Sequence, residues 1–166
     1  MNIFKHDCMY CGMSAQERDH VVPHSYAQAE GQTRNWHLSK VVPACTECNH
    51  LLNNLFHTTI ATRALFIAGR LKARYKKLLA SPDWNEDELA ELGESLRGHV
   101  KGEQSKKKLI NVRIEYALEI SKNTELTPML YWKNFGYQIT ENTTEQQLTE
   151  EQLVEQYTKD QQYVRY

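Results

Sequence analysis

Residues Val41–Asn53, "VVPACTECNHLLN", decide the fold. A short β-branched piece ends at a proline, a C-x-x-C turn follows at Cys45 and Cys48, and from about Thr46 the pattern turns helical. The other two cysteines, Cys8 and Cys11, repeat the same spacing in "CMYC", with 33 residues between the pairs. A C-x-x-C turn aims two thiolates at one point, and Gly12 after the first pair supplies the backbone freedom such turns use. A redox C-x-x-C would involve one pair opening a helix after a strand. Two pairs without a secretory signal favour one closed tetrahedral zinc site over disulfides.

The amino terminus, "MNIFKHDCMYCG", lacks the apolar centre of a signal peptide, which places the expectation in the cytoplasm. No stretch approaches the roughly eighteen apolar residues of a membrane helix. At 166 residues the chain can bury a real core. Net charge is −1, but the charges are segregated. Lys plus Arg against Asp plus Glu stand at 4 and 5 over residues 1–60, 12 and 7 over 61–114, and 4 and 9 over 115–166. A basic middle third is enough for phosphate contacts from one face.

The organisation read from the sequence is α+β: a small zinc-stapled unit over residues 1–60, a helical extension with a basic stripe over 61–122, and an acidic, Gln-rich helix or tail over 123–166. Strands are expected at "HVV" (20–22) and "KVV" (40–42), each followed by proline. Thr58 and Thr59 mark a helix break where a threonine can cap a new helix. In that helix Leu65, Ala68, Leu71, Tyr75 and Leu78 follow an apolar repeat. Pro82 interrupts it, and Asp83 or Asn85 caps the next element. A further helix over 105–122 carries Leu109, Val112, Tyr116 and Ile120 on one face, and Thr149 with Gln152 resembles a capping box for a last one.

The chemistry concentrates in "DHVVPHS", Asp19–Ser25. On a strand Asp19 and His20 point to opposite sides, which suits a division of labour between metal and water. Asn49 and Asn53 share a helix face four residues apart. One Asp with one or two Asn gives oxygen ligands suited to Mg²⁺ or Mn²⁺, and a neighbouring histidine can take a proton from water. That combination reads as phosphodiester hydrolysis. His24 and His57 are candidate DNA contacts. Arg63, Arg70, Arg74 and Lys77, at spacings of seven, four and three, are expected to line a helix stripe that tracks phosphates.

The order C-x-x-C, "DHVVP", "VPACTECN" resembles the four-cysteine HNH endonucleases, whose ββα-metal unit is stapled by structural zinc; the resemblance covers roughly residues 6–57. It implies that Cys8, Cys11, Cys45 and Cys48 hold Zn²⁺ and that His20 is the general base. Asp19 and Asn49 would hold the catalytic Mg²⁺ or Mn²⁺, with Asn53 a further ligand in some members. The implied reaction is DNA hydrolysis leaving a 5′-phosphate and a 3′-hydroxyl, as a nick or a double-strand cut. Two positions depart from the family's pattern: Lys40 stands where it has a loop-supporting Asn, and Leu52 where it often has a basic residue. They keep a second reading open, a catalytically weak or inactive zinc-stapled module binding nucleic acid or a protein. The carboxy-terminal helices are the expected surface for a homodimer or a protein partner.

Overall fold

A computed structural model describes residues 6–22, 40–53, 55 and 57–134. The element order is β1 (Glu17–His20), β2 (Val41–Ala44), α1 (Thr46–Leu52), α2 (Ile60–Arg74), α3 (Lys76–Leu79), α4 (Glu86–Ala90), α5 (Glu94–Lys122) and α6 (Pro128–Asn134). The fold is α+β and mostly helical, with a two-stranded sheet beside a cluster of four cysteines.

β1 and β2 are antiparallel, pairing Glu17 with Ala44, Arg18 with Pro43, Asp19 with Val42 and His20 with Val41. The first strand therefore lies earlier than "HVV" suggests. Val21 and Val22 follow it, although the Val21 amide still donates to the Lys40 carbonyl at 3.1 Å. The first cysteine turn anchors this register: the Met9 amide reaches the Pro43 carbonyl at 2.9 Å, and the Gln16 amide reaches Ala44 at 3.1 Å. Pro43 sits inside β2 and not after it, tolerable because both strands of a two-stranded sheet are edges.

Thr59 caps α2 as expected, its hydroxyl accepting from the Thr62 amide at 3.2 Å. The buried face of α2 is Ile60, Ala61, Arg63, Ala64, Ile67, Ala68 and Leu71, so Leu65 turns outward at 56% exposure. α2 ends at Tyr75, and the short α3 continues to Leu79. Asn85 opens α4 with a full capping box: its Oδ1 accepts from the Glu88 amide at 2.9 Å, and Glu88 Oε2 accepts from the Asn85 amide at 2.8 Å. Asn85→Ala is expected to cost about 0.5–2 kcal/mol. Chemical denaturation reads this directly, and an unshifted midpoint would deny the cap its role.

α5 is the long element, and it packs lengthwise on α2. It buries Ile110, Arg113, Ile114 and Ala117; of the expected face, Leu109 and Val112 lie exposed at 44% and 60%, Tyr116 is partly covered beside Gly12, and Ile120 packs against the edge of the core. The expected apolar face is thus displaced by about one residue from the one the packing selects. Arg97, on its first turn, donates to the carbonyls of Leu89, Ala90 and Leu92, satisfying the end of α4. α6 contributes Trp132, fully buried, whose indole N–H donates to the Val41 carbonyl at 2.8 Å.

One core joins the cysteine turns to the helices: Cys8, Tyr10, Val42, Cys48 and Leu52 pack in the same cluster as Ile60, Ala64, Ile67, Leu71, Ile114 and Ala117. Gly12, at φ 70°, reinforces the junction, since a Cβ there would come within 3.3 Å of the Tyr116 ring. No helix among the described residues is long and apolar enough to cross a membrane. The expected helix from Thr149 lies outside the described residues.

Candidate metal centre and the strand beside it

Two tight turns build the cysteine centre. In the first, the amides of Cys11 and Gly12 fold back on the Cys8 carbonyl at 3.3 and 2.9 Å, which brings the side chains of Cys8 and Cys11 to one side. In the second, Cys45 is the N-cap of α1, and its sulfur accepts from the Cys48 amide at 3.4 Å. All four residues are buried, and their Sγ atoms lie within 4.8 Å of one another. Cys11 and Cys45 approach to 3.6 Å, close to the edge of a tetrahedron of sulfurs around a metal with bonds of about 2.3 Å. The thiols compete for protons: hydrogen bonding to Cys11 and Cys45 pushes Cys48 well up, while the bond with Cys11 pulls Cys45 well down. A buried tetrathiolate of this shape fits a metal such as zinc, which would offset half of the charge that four thiolates carry.

β1 projects its alternate side chains to two faces. Asp19 faces inward at 4% exposure, and both its oxygens are engaged. Arg63 grips them as a fork, Nη2 to Oδ1 at 2.6 Å and Nε to Oδ2 at 2.9 Å, and the Tyr10 hydroxyl donates to Oδ2 as well. Arg63 is itself only 1% exposed, and its Nη1 donates to the carbonyls of His57 at 2.9 Å and Val21 at 3.3 Å. Burial pushes the Asp19 carboxyl up while the guanidinium pulls it down. A carboxylate held by a bidentate fork and a phenol has the surroundings of the ionised form.

Asp19 is thus the anion of a buried ion pair, and Arg63 does not line the exposed stripe assigned to it. The physical reason is that Arg63 lies on the α2 face that also carries Ile60, Ile67 and Leu71. Arg70 and Arg74 remain exposed on α2, and Lys77 on α3. Arg74 also pairs with Glu47 at 3.2 Å. An open recess of about 540 Å³ at the α2–α3 junction is lined by Arg74, Tyr75, Lys76, Lys77 and, from α5, Lys106 and Glu103.

His20 closes β1, half-buried, on the face opposite Asp19. Asn49, on the first turn of α1, meets the other side of the strand: its amide donates to Glu17, two residues before Asp19 and on the same face. Asn53 is exposed and ends α1 with a positive φ of 27°. His57 is half-buried, with its ring 5.5 Å from that of Phe66. His24 lies outside the described residues. Lys40 joins the hairpin through its carbonyl, and Leu52 is fully buried in the core.

Mg²⁺ or Mn²⁺ held jointly by Asp19 and Asn49 does not fit this arrangement. A divalent ion on Asp19 would share its carboxylate with a guanidinium, which repels it, and Asn49 turns its amide to Glu17. Tyr10, Glu17, Arg63 and Arg113 escaped the sequence reading as partners of this region. The signal for Arg63 was present, since it stands among Ile60, Ala64 and Ile67 on one helix face, whereas that for Arg113 depends on which face of α5 is buried. No family model, curated protein or solved structure matches the chain.

Proposed function

We propose that the chain is a zinc-stapled endonuclease of the HNH type that hydrolyses DNA phosphodiester bonds, with His20 as general base. The observation that carries the reading is the convergence of both C-x-x-C turns beside an antiparallel β1–β2 pair and α1, with "DH" on β1 and Asn49 on α1. This is the strand, strand, helix order that the motif resemblance calls for. His20, half-buried at the end of the strand, takes a proton from the attacking water. Asp19, Tyr10 and Arg63 hold β1 against α2 and so fix the backbone on which His20 stands. The cations around the α2–α3 recess supply contacts to DNA phosphates.

The Arg63–Asp19 pair favours a second reading, a zinc-stapled nucleic-acid-binding module without hydrolysis, because it claims the carboxylate that a catalytic metal would use. A supercoiled-plasmid assay in Mg²⁺ or Mn²⁺, comparing the parent with His20→Ala, decides between them. The nuclease reading expects nicking by the parent and a loss of roughly 10²- to 10⁴-fold in the variant, with the zinc content unchanged. Equal cutting by both proteins rejects His20 as the base. No cutting by the parent with either metal, together with retained DNA retardation in gels, selects the binding module.

A further inference from the structure

Arg113 lies 102 residues from Cys11 in sequence, yet its Nη2 stands 3.6 Å from the Cys11 sulfur. It is 6% exposed, on the buried face of α5 between Ile110 and Ile114. Its orientation is braced by Glu47, which sits between Cys45 and Cys48 on the second knuckle and accepts from the same nitrogen at 2.7 Å. Glu47 is held in turn by the Tyr75 hydroxyl at 2.9 Å and by Arg74 at 3.2 Å. A carboxylate of one knuckle thereby aims a cation from a distant helix at a sulfur of the other.

We infer that Arg113 is a positioning and charge-balancing residue of the metal centre, donating to the Cys11 thiolate when zinc is bound; this rests on the zinc reading of the four cysteines. Four thiolates around Zn²⁺ carry a net charge of −2 in a buried site, and a guanidinium at one sulfur offsets part of it. The bond draws electron density from Cys11, stabilises its thiolate against reprotonation, and fixes the side chain in its ligating orientation. It also makes the grip on the metal depend on α5, well outside the cysteine frame.

Co²⁺ substitution tests this, because thiolate-to-cobalt charge transfer in the near-ultraviolet reports the electronic state of the sulfurs. The parent, Arg113→Met, Arg113→Lys and Glu47→Gln are each titrated with Co²⁺ and then with Zn²⁺ in competition with a chromophoric chelator. Removing the cation raises the energy of the sulfur donor electrons, so Arg113→Met is expected to move the band to longer wavelength and weaken Zn²⁺ binding by about 10- to 100-fold. Arg113→Lys should recover most of both effects. Glu47→Gln, which loosens the brace while leaving the cation, should shift the band in the same direction by less; if Arg113→Met does not fold, Glu47→Gln carries the test. A parent-like band and parent-like affinity in Arg113→Met, or in Glu47→Gln where Arg113→Met does not fold, overturn the role of Arg113 while the zinc site stands. A parent that gives no tetrathiolate Co²⁺ spectrum overturns the zinc reading and this inference with it.

Discussion

Cys48→Ser, or stripping the metal with a strong chelator, is expected to abolish cooperative folding of the cysteine unit and of the helices packed on it. Cys8 and Cys48 are fully buried, and Cys11 and Cys45 nearly so, in the same cluster that holds Ile60, Ala64, Ile114 and Ala117. Without a cation, the core must accommodate either buried thiolates that repel one another or thiols with poor hydrogen bonds. Structural zinc contributes about 10–16 kcal/mol of apparent binding energy, comparable to or larger than the roughly 5–15 kcal/mol by which a typical domain is stable at all. A serine oxygen does not replace the thiolate ligand. The measurement is metal content by mass spectrometry, with one zinc per parent chain, beside thermal unfolding with and without chelator. Parent-like melting of Cys48→Ser, or a melting curve indifferent to the chelator, would show that the four sulfurs hold no stabilising ion.

What the sequence displays locally, it displays well. The C-x-x-C turns, the Thr59 cap and the Asn85 box are set by residues within a few positions of one another, and each forms as its own chemistry dictates. The strand was harder to place. Val21 and Val22 have the stronger β preference, but the register is fixed from outside by the first cysteine turn, through Met9 and Pro43, and it selects Glu17–His20. On α5 two faces compete. Leu109 and Val112 are as apolar as Ile110 and Ile114, and the position of α2 decides which pair is buried. The candidate site divides in the same way. The cysteine centre follows from spacing alone, whereas the state of Asp19 depends on Arg63, forty-four residues away, and a buried ion pair leaves no periodic trace beyond a charged residue on an apolar face.

That pair yields the other large effect. Arg63→Met removes the fork and leaves Asp19 against Tyr10 in a site 4% exposed, and breaking a buried pair on one side costs about 3–5 kcal/mol. The loss has a pH signature. Desolvation already holds the Asp19 carboxyl above its ordinary value of 3.8 against the pull of Arg63 and Tyr10, and with the guanidinium gone it rises further. The folded variant then holds a proton that the unfolded chain has released, so its stability falls as pH rises above that value until the raised folded-state pKa is passed. The parent, whose Asp19 is raised less because Arg63 opposes the desolvation, shows the same slope over a narrower range of pH. Arg63→Met combined with Asp19→Leu removes the stranded charge and should recover much of the loss, giving a coupling energy well above the 0–1 kcal/mol of surface pairs. Denaturant unfolding of the four proteins between pH 5 and 8 supplies the cycle. Additive losses, or an Arg63→Met variant whose stability does not change with pH, would mean that Asp19 is not held by Arg63 in solution, and would restore it as a ligand for a catalytic metal.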